Sequence, residues 1–173
     1  MPLPGCKLTY LVEPPTAFIK VTGRAAVEGA RDFKALVERL HGEGIPQFCL
    51  DLSGCLLMDS TFSGVLAGLA SRLGARTADN CPRFILVQPN ERIRDLLDSL
   101  GVLPLVEVLE AGASPAPKPA QLEVPTGGSS REQVAECCLE AHRLLMALRP
   151  ENVGKFRELT RMLEGQMQAT PAP

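Results

Sequence analysis

The chain has 173 residues and a hydrophobic fraction of 45%, which suits one ordinary folded domain with an appendage and excludes wholesale disorder. Its net charge is −2 and its pI is near 5.7, so no basic excess indicates nucleic acid or an anionic membrane as a partner. The sequence contains neither a secretory signal nor an apolar stretch near the roughly 20 residues that a membrane helix needs. We therefore expect a cytoplasmic protein without membrane insertion.

The cysteines and histidines do not form a metal-binding pattern. None of the six cysteines belongs to a Cys-x-x-Cys pair, and only His41 and His142 could add imidazole ligands. We therefore predict no metal site, no cofactor and reduced thiols. Cys49 and Cys55 flank a predicted strand and are expected to be buried as small apolar side chains.

The first half of the chain alternates between strand-like and helix-like patterns. Two β-rich runs at 7–12 and 17–21, separated by Pro14-Pro15, predict an antiparallel hairpin. Apolar residues at helical spacing predict a helix over 27–41. The compact apolar run at 48–52 predicts a strand that is covered on both faces, hence a central one.

The pattern continues with shorter elements up to residue 110. A second helical stripe begins at Phe62, and the run 83–87 predicts another strand. Asn90 is a typical N-cap for a third helix, and alternation at 105–109 predicts a last short strand. The order β-β-α-β-α-β-α-β predicts an α/β fold with a mixed sheet, in which an antiparallel hairpin precedes parallel β-α-β units.

Composition changes after residue 110. Residues 111–130 are rich in proline, glycine and alanine and predict a linker. Residues 131–168 carry two apolar stripes divided by Pro150, which predict a C-terminal hairpin of two amphipathic helices. The organisation is therefore a domain over 6–110, the linker and the helical pair. The apolar helix faces are expected to fold back on the domain, pair with each other or form a homodimer.

Between the third strand and the second helix lies the cluster Asp59-Ser60-Thr61-Phe62-Ser63-Gly64. A strand ending in Asp-Leu-Ser, a hydrophobic step and then Asp-Ser-Thr before an apolar helix resembles the core signature of the STAS family, which is named for sulfate transporters and anti-sigma factor antagonists. The resemblance covers residues 6–110. It implies a mixed sheet packed with helices and a non-enzymatic regulatory protein of the anti-sigma factor antagonist type.

The resemblance also implies a site and a partner. In bacterial members, the serine or threonine after Asp-Ser is phosphorylated by a partner serine kinase, and the unphosphorylated form binds that kinase and so frees a sigma factor for transcription. By position, the phosphoacceptor here is Thr61, with Ser60 as the alternative. The residues implied to dock the partner are Asp59, Ser60, Thr61, Phe62, Ser63 and Gly64. Phe62 stands where the family has a small residue, so it is expected either to pack into the core or to alter kinase docking.

Elementary chemistry supports a switch and also supplies a simpler interpretation. Ser60 or Thr61 at a helix start can cap free backbone N–H groups, and a plain N-cap cluster would need no phosphate. The helix dipole would favour an added phosphate by roughly 0.3–1 kcal/mol, and its charge of about −1.5 to −2 would repel an acidic or apolar partner. No enzyme is predicted, because Ser60 lacks a Gly-x-Ser-x-Gly elbow and neither histidine can be placed near it from the sequence. Both histidines are expected at the surface.

Two other functions remain open. The first is a scaffold or assembly subunit whose STAS-like turn is not modified, which Phe62 and the C-terminal helices favour. The second is a small-molecule or lipid-binding STAS module that serves a transport system.

Overall fold

A computed structural model describes residues 1–112 and 121–169 of the chain. The described strands are β1 (Lys7–Glu13), β2 (Thr16–Ala25), β3 (Gln47–Met58), β4 (Phe84–Val87), β5 (Glu107–Leu109) and β6 (Leu122–Glu123). The described helices are α1 (Val27–Gly42), α2 (Ser60–Leu73), α3 (Glu91–Ser99), α4 (Arg131–Leu148) and α5 (Glu151–Ala169), with a 3-10 turn at Leu103–Leu105.

The strands form one mixed sheet in the order β5-β4-β3-β2-β1-β6. β1 is antiparallel to β2 and β6, whereas β2, β3, β4 and β5 run parallel. The predicted α/β architecture with an initial antiparallel hairpin is therefore confirmed. The prediction missed β6, which lies within the expected linker and pairs with β1 at Thr9 and Tyr10. Residues 113–120 of that linker lie outside the described part of the chain.

β3 is longer than the sequence pattern indicated. It was predicted over 48–52 but continues to Met58. Its pairing with β4 ends at Asp51, and beyond that point it pairs with β2 alone, with register shifts along β2. The Ser53-Gly54 step resembles a turn in sequence, and the half-exposed extension loses the continuous apolar pattern. This extension carries the chain past the end of β4 and presents the following turn.

The core lies against the face of β2 that carries Ala17, Ile19 and Val21, all of which are buried. Phe33 of α1 and Phe62 of α2 belong to the same cluster, and their rings stack with centroids 5.1 Å apart. The apolar stripes predicted for these helices therefore face the sheet, as amphipathic helices of a two-layer domain must.

α4 and α5 fold back onto this domain as an antiparallel pair. The Asn152 side chain donates to the backbone carbonyls of Leu145 (2.7 Å) and Leu100 (3.0 Å), so it joins the hairpin to the end of α3. Lys34 of α1 pairs with Glu140 of α4 at 2.8 Å. Of the three arrangements left open by the sequence, this one combines packing on the domain with pairing between the helices. None of the described helices is long and apolar enough to span a membrane.

Candidate functional site

The turn that begins α2 is organised by Asp59. Its carboxylate accepts a hydrogen bond from the Phe62 N–H at 2.8 Å, and its backbone carbonyl accepts from both the N–H and the hydroxyl of Ser63. The Asp59 N–H donates to the carbonyl of Ala25, which ties the turn to the end of β2. Asp59 is therefore the N-cap, so the cluster does cap the helix, through Asp59 and not through Ser60 or Thr61. Helix α2 begins at Ser60, two residues before the apolar stripe.

Phe62, the departure from the family pattern, lies in the core. Its side chain is fully buried and stacks on Phe33 of α1. Of the two outcomes expected for a bulky residue here, packing into the core or altered kinase docking, the structure shows packing into the core. Only the backbone N–H of Phe62 belongs to the polar network of the turn, so its side chain is not part of a surface that a partner could contact.

Helix α4 lies directly over the two hydroxyls of the turn. The Ser60 hydroxyl is 2.8 Å from Nε2 of His142, and the Thr61 hydroxyl is 3.5 Å from the Cys138 sulfur. Thr61 is only 5% exposed. Asp59 and Ser60 are partly exposed. The predicted phosphoacceptor is thus covered by a segment that comes some eighty residues later in the chain.

One turn further along α2, the two helices touch through their backbones. A Cβ atom added to Gly64 would lie 2.6 Å from the carbonyl oxygen of Ala141 and 2.8 Å from its Cβ. These distances are shorter than real Cβ contacts, so only glycine permits this approach. At Gly68 a Cβ atom would meet only the Cδ2 end of Leu144, at 3.2 Å. Gly64 therefore sets how closely α4 approaches the turn.

His142 is buried against the turn and was not expected there. Its Nδ1 lies 2.6 Å from the carbonyl of Cys138, which can only accept, so Nδ1 carries the proton and Nε2 accepts from the Ser60 hydroxyl. The Phe156 ring packs against the imidazole in an edge-type contact with centroids 4.7 Å apart, and burial lowers the pKa of His142. The prediction that His142 is a surface residue is wrong, and its place beside Ser60 could not be found from the sequence, because α4 folds back across 82 residues.

The Ser60–His142 pair has the atoms of a nucleophile and a base, but not their setting. His142 is only 1% exposed, which leaves no room beside the imidazole for a substrate in this conformation. Its second nitrogen is held by a backbone carbonyl, and burial raises the pKa of the neighbouring Asp59. The pair is therefore a partly buried polar contact between two helices. Within residues 1–112 and 121–169, no group of three acidic, cysteine or histidine side chains is arranged to hold a metal ion.

Comparison with known proteins gives similarity at the level of structure. No protein-family model matches the chain, and no curated protein matches it in sequence. The anti-sigma factor antagonist SpoIIAA of Bacillus, in its unphosphorylated form, superposes with a TM-score of 0.51 at 18% identity, over 62% of this chain and 89% of that one. The protein TM1081 of Thermotoga maritima, solved by NMR, gives a TM-score of 0.50 at 22% identity, over 58% of this chain and 78% of that one. More than a third of the chain lies outside each match, and within the match the chain has a STAS-like fold.

Proposed function

We infer that the protein is a non-enzymatic regulatory binding protein of the anti-sigma factor antagonist kind. In this proposal the turn Asp59–Gly64 docks a protein partner, an anti-sigma factor with serine kinase activity, in the cytoplasm of a bacterium. Phosphorylation of Thr61, or alternatively of Ser60, releases that partner. The observation that carries the proposal is the position of the two hydroxyls, in the first turn of α2 at the end of β3, on a STAS-like fold.

The electrostatics of the turn would make a phosphate there disruptive. Burial raises the pKa of Asp59, which means that these surroundings disfavour negative charge. A phosphate on Thr61 would add a charge of about −1.5 to −2 beside that carboxylate. The start of α2 offers its backbone N–H groups and dipole in compensation. The charge of Arg24 acts on Asp59 and lowers its pKa, but no basic side chain contacts the Thr61 hydroxyl among the described hydrogen bonds. Modification should therefore change what the turn binds.

The test is phosphorylation of the full-length protein in a lysate of its own organism supplied with ATP, followed by mapping of modified peptides by mass spectrometry. We expect phosphate on Thr61, its loss in Thr61→Val, and its recovery on the new hydroxyl in Thr61→Ser. Ser71→Ala is the matched control, because it removes an exposed hydroxyl from the same helix outside the turn. A wild-type protein with no phosphate on Thr61 or Ser60 would refute the switch.

Burial of Thr61 favours a second candidate, a scaffold or assembly subunit with an unmodified turn. Helix α5 carries two exposed methionines, Met162 and Met167, which add apolar surface to the outside of the hairpin. If assembly uses this surface, light scattering should detect a homodimer in the wild type and a monomer in Met162→Glu. A monomeric wild type at high concentration would count against assembly through these helices.

A further inference from the structure

The contacts of α4 follow α2 over three successive turns. Cys138 and His142 lie over the two hydroxyls, Ala141 lies on Gly64, and Leu144 reaches Gly68. This spacing of three and four residues is that of one face of a helix packed along another. A protein partner docked on this face of the turn would have to occupy the space that α4 fills.

We propose that α4 is an intramolecular cover for the docking turn, which must leave α2 before a protein partner or a kinase can reach Thr61. The inference rests on the proposed function for the identity of the partner that competes with α4. The contact between α4 and the turn is independent of that function. The site it governs is the surface formed by Ser60, Thr61 and Gly64. The partner that fits this surface presents a helix with a small residue opposite Gly64, as α4 does with Ala141.

Phosphoryl transfer cannot occur in the covered state. Transfer joins the γ-phosphorus of ATP to Oγ1 of Thr61, breaks the bond from that phosphorus to the oxygen that leaves with ADP, and passes the hydroxyl proton to the catalytic base of the kinase. The attacking oxygen must therefore face the nucleotide, yet Oγ1 of Thr61 faces the sulfur of Cys138 at 3.5 Å. The space between the two atoms has no room for a phosphoryl group. Only a population with α4 displaced is a substrate.

The same geometry makes the cover responsive to modification. A phosphate on Thr61 would occupy the position of the Cys138 side chain, so the phosphorylated protein could not close again. In the unphosphorylated protein, the partner's apparent affinity falls in proportion to the fraction of molecules in which α4 has opened. The cover therefore sets a threshold for binding and for phosphorylation together.

The contacts that opening must break are both polar and apolar. Beside the apolar residues, they include one neutral imidazole, one thiol and the exposed ion pair between Lys34 and Glu140, which contributes little stability in water. The α2 side offers no side chain at Gly64 and Gly68, so the main apolar contacts that opening must break are those of Ala141 and of Leu145, which is fully buried in the core. Removal of α4 leaves the Phe33–Phe62 stack within the remaining domain, since neither residue lies on α4.

The experiment compares two substitutions on α4 in the full-length protein. Ala141→Glu places a charge against Gly64 and should displace the helix, whereas Ala147→Glu places the same charge on its exposed side. N-ethylmaleimide labelling of Cys138 is followed by mass spectrometry, with the exposed Cys81 as the internal reference. We expect labelling of Cys138 to accelerate about tenfold or more in Ala141→Glu and to stay at the wild-type rate in Ala147→Glu.

The same variants are then incubated with lysate and ATP. Faster phosphorylation of Thr61 in Ala141→Glu than in the wild type supports both the cover and the proposed function. Equal rates in the two proteins overturn the cover and leave the function standing. Accelerated labelling with no phosphate in any variant supports the cover and counts against the function. Unchanged labelling of Cys138 in Ala141→Glu overturns the cover. If circular dichroism shows that Ala141→Glu does not fold, Leu144→Asp, one turn further from Thr61, is scored by the same criteria.

Discussion

Replacing Gly64 by alanine tests the closest contact between α2 and α4. The added Cβ would lie 2.6 Å from the Ala141 carbonyl, so α4 would have to retreat by about 0.8 Å to restore an ordinary contact of 3.4 Å. Overpacking of this kind costs about 1–3 kcal/mol, while alanine returns about 0.5–1 kcal/mol of helix propensity. Because the added Cβ would meet backbone atoms, which cannot move aside cheaply, the upper part of that cost applies. We expect a net loss of about 1–2 kcal/mol, concentrated in the docking of α4.

Gly68→Ala is the matched control on the same helix. Its Cβ would meet only the flexible end of Leu144 at 3.2 Å, so the gain in helix propensity should outweigh a small side-chain adjustment. Hydrogen–deuterium exchange of the α4 amides should be about 5–30-fold faster in Gly64→Ala than in the wild type. In Gly68→Ala it should be unchanged or slower.

The assay follows α4 peptides by mass spectrometry and global stability by urea unfolding. If the α4 amides exchanged equally fast in Gly64→Ala and Gly68→Ala, the close approach at Gly64 would not control the docking of α4, and the steric argument would be refuted. If Gly64→Ala destabilised β2 and α1 as much as α4, the helix would be an inseparable part of the core and not a cover.

Three further outcomes are expected. Phe62→Ala should lower the free energy of unfolding by about 3–5 kcal/mol in urea titrations, because the ring is fully buried on Phe33; a loss below about 1 kcal/mol would contradict its place in the core. Asp59→Ala should lower the free energy of unfolding by about 0.5–2 kcal/mol in the same assay, since it removes the cap of α2. Asp59→Asn should keep most of that stability, because its side-chain oxygen can still cap the helix. Burial lowers the pKa of His142 below 6.5, so the unfolded chain binds the proton more readily; the stability from neutral His142 is full above that pH and is lost as pH falls through the lowered value. Urea unfolding at pH 7.5 and 5.5 should show this loss in the wild type and not in His142→Gln. The raised pKa of the facing Asp59 has the opposite effect, since it adds stability as the pH falls further. If the free energy of unfolding changed equally between the two pH values in both proteins, the buried neutral imidazole would be contradicted.

Local patterns in the sequence were sufficient for most of the architecture. The apolar spacing in 27–41 predicted α1 to within one residue, because a helix that packs on a sheet repeats its buried side chains every three to four positions. The proline-separated runs at the N-terminus predicted the antiparallel hairpin, and the alternation with helices predicted parallel pairing. The Asp59–Gly64 turn was recognisable because strand, turn and helix are adjacent in the chain.

What covers that turn was decided only by the tertiary structure. The contact between Ser60 and His142 joins positions 82 residues apart, and no periodicity in either segment specifies which apolar face α4 will meet. The close approach depends on glycine at Gly64 lying opposite Ala141, which is a property of the packed pair and not of either helix. In the same way, β6 forms because β1 offers a free edge. The sequence by itself determined the elements up to residue 110, the helical pair and the turn. Long-range packing decided that Thr61 is buried, because burial depends on neighbours that local patterns do not identify.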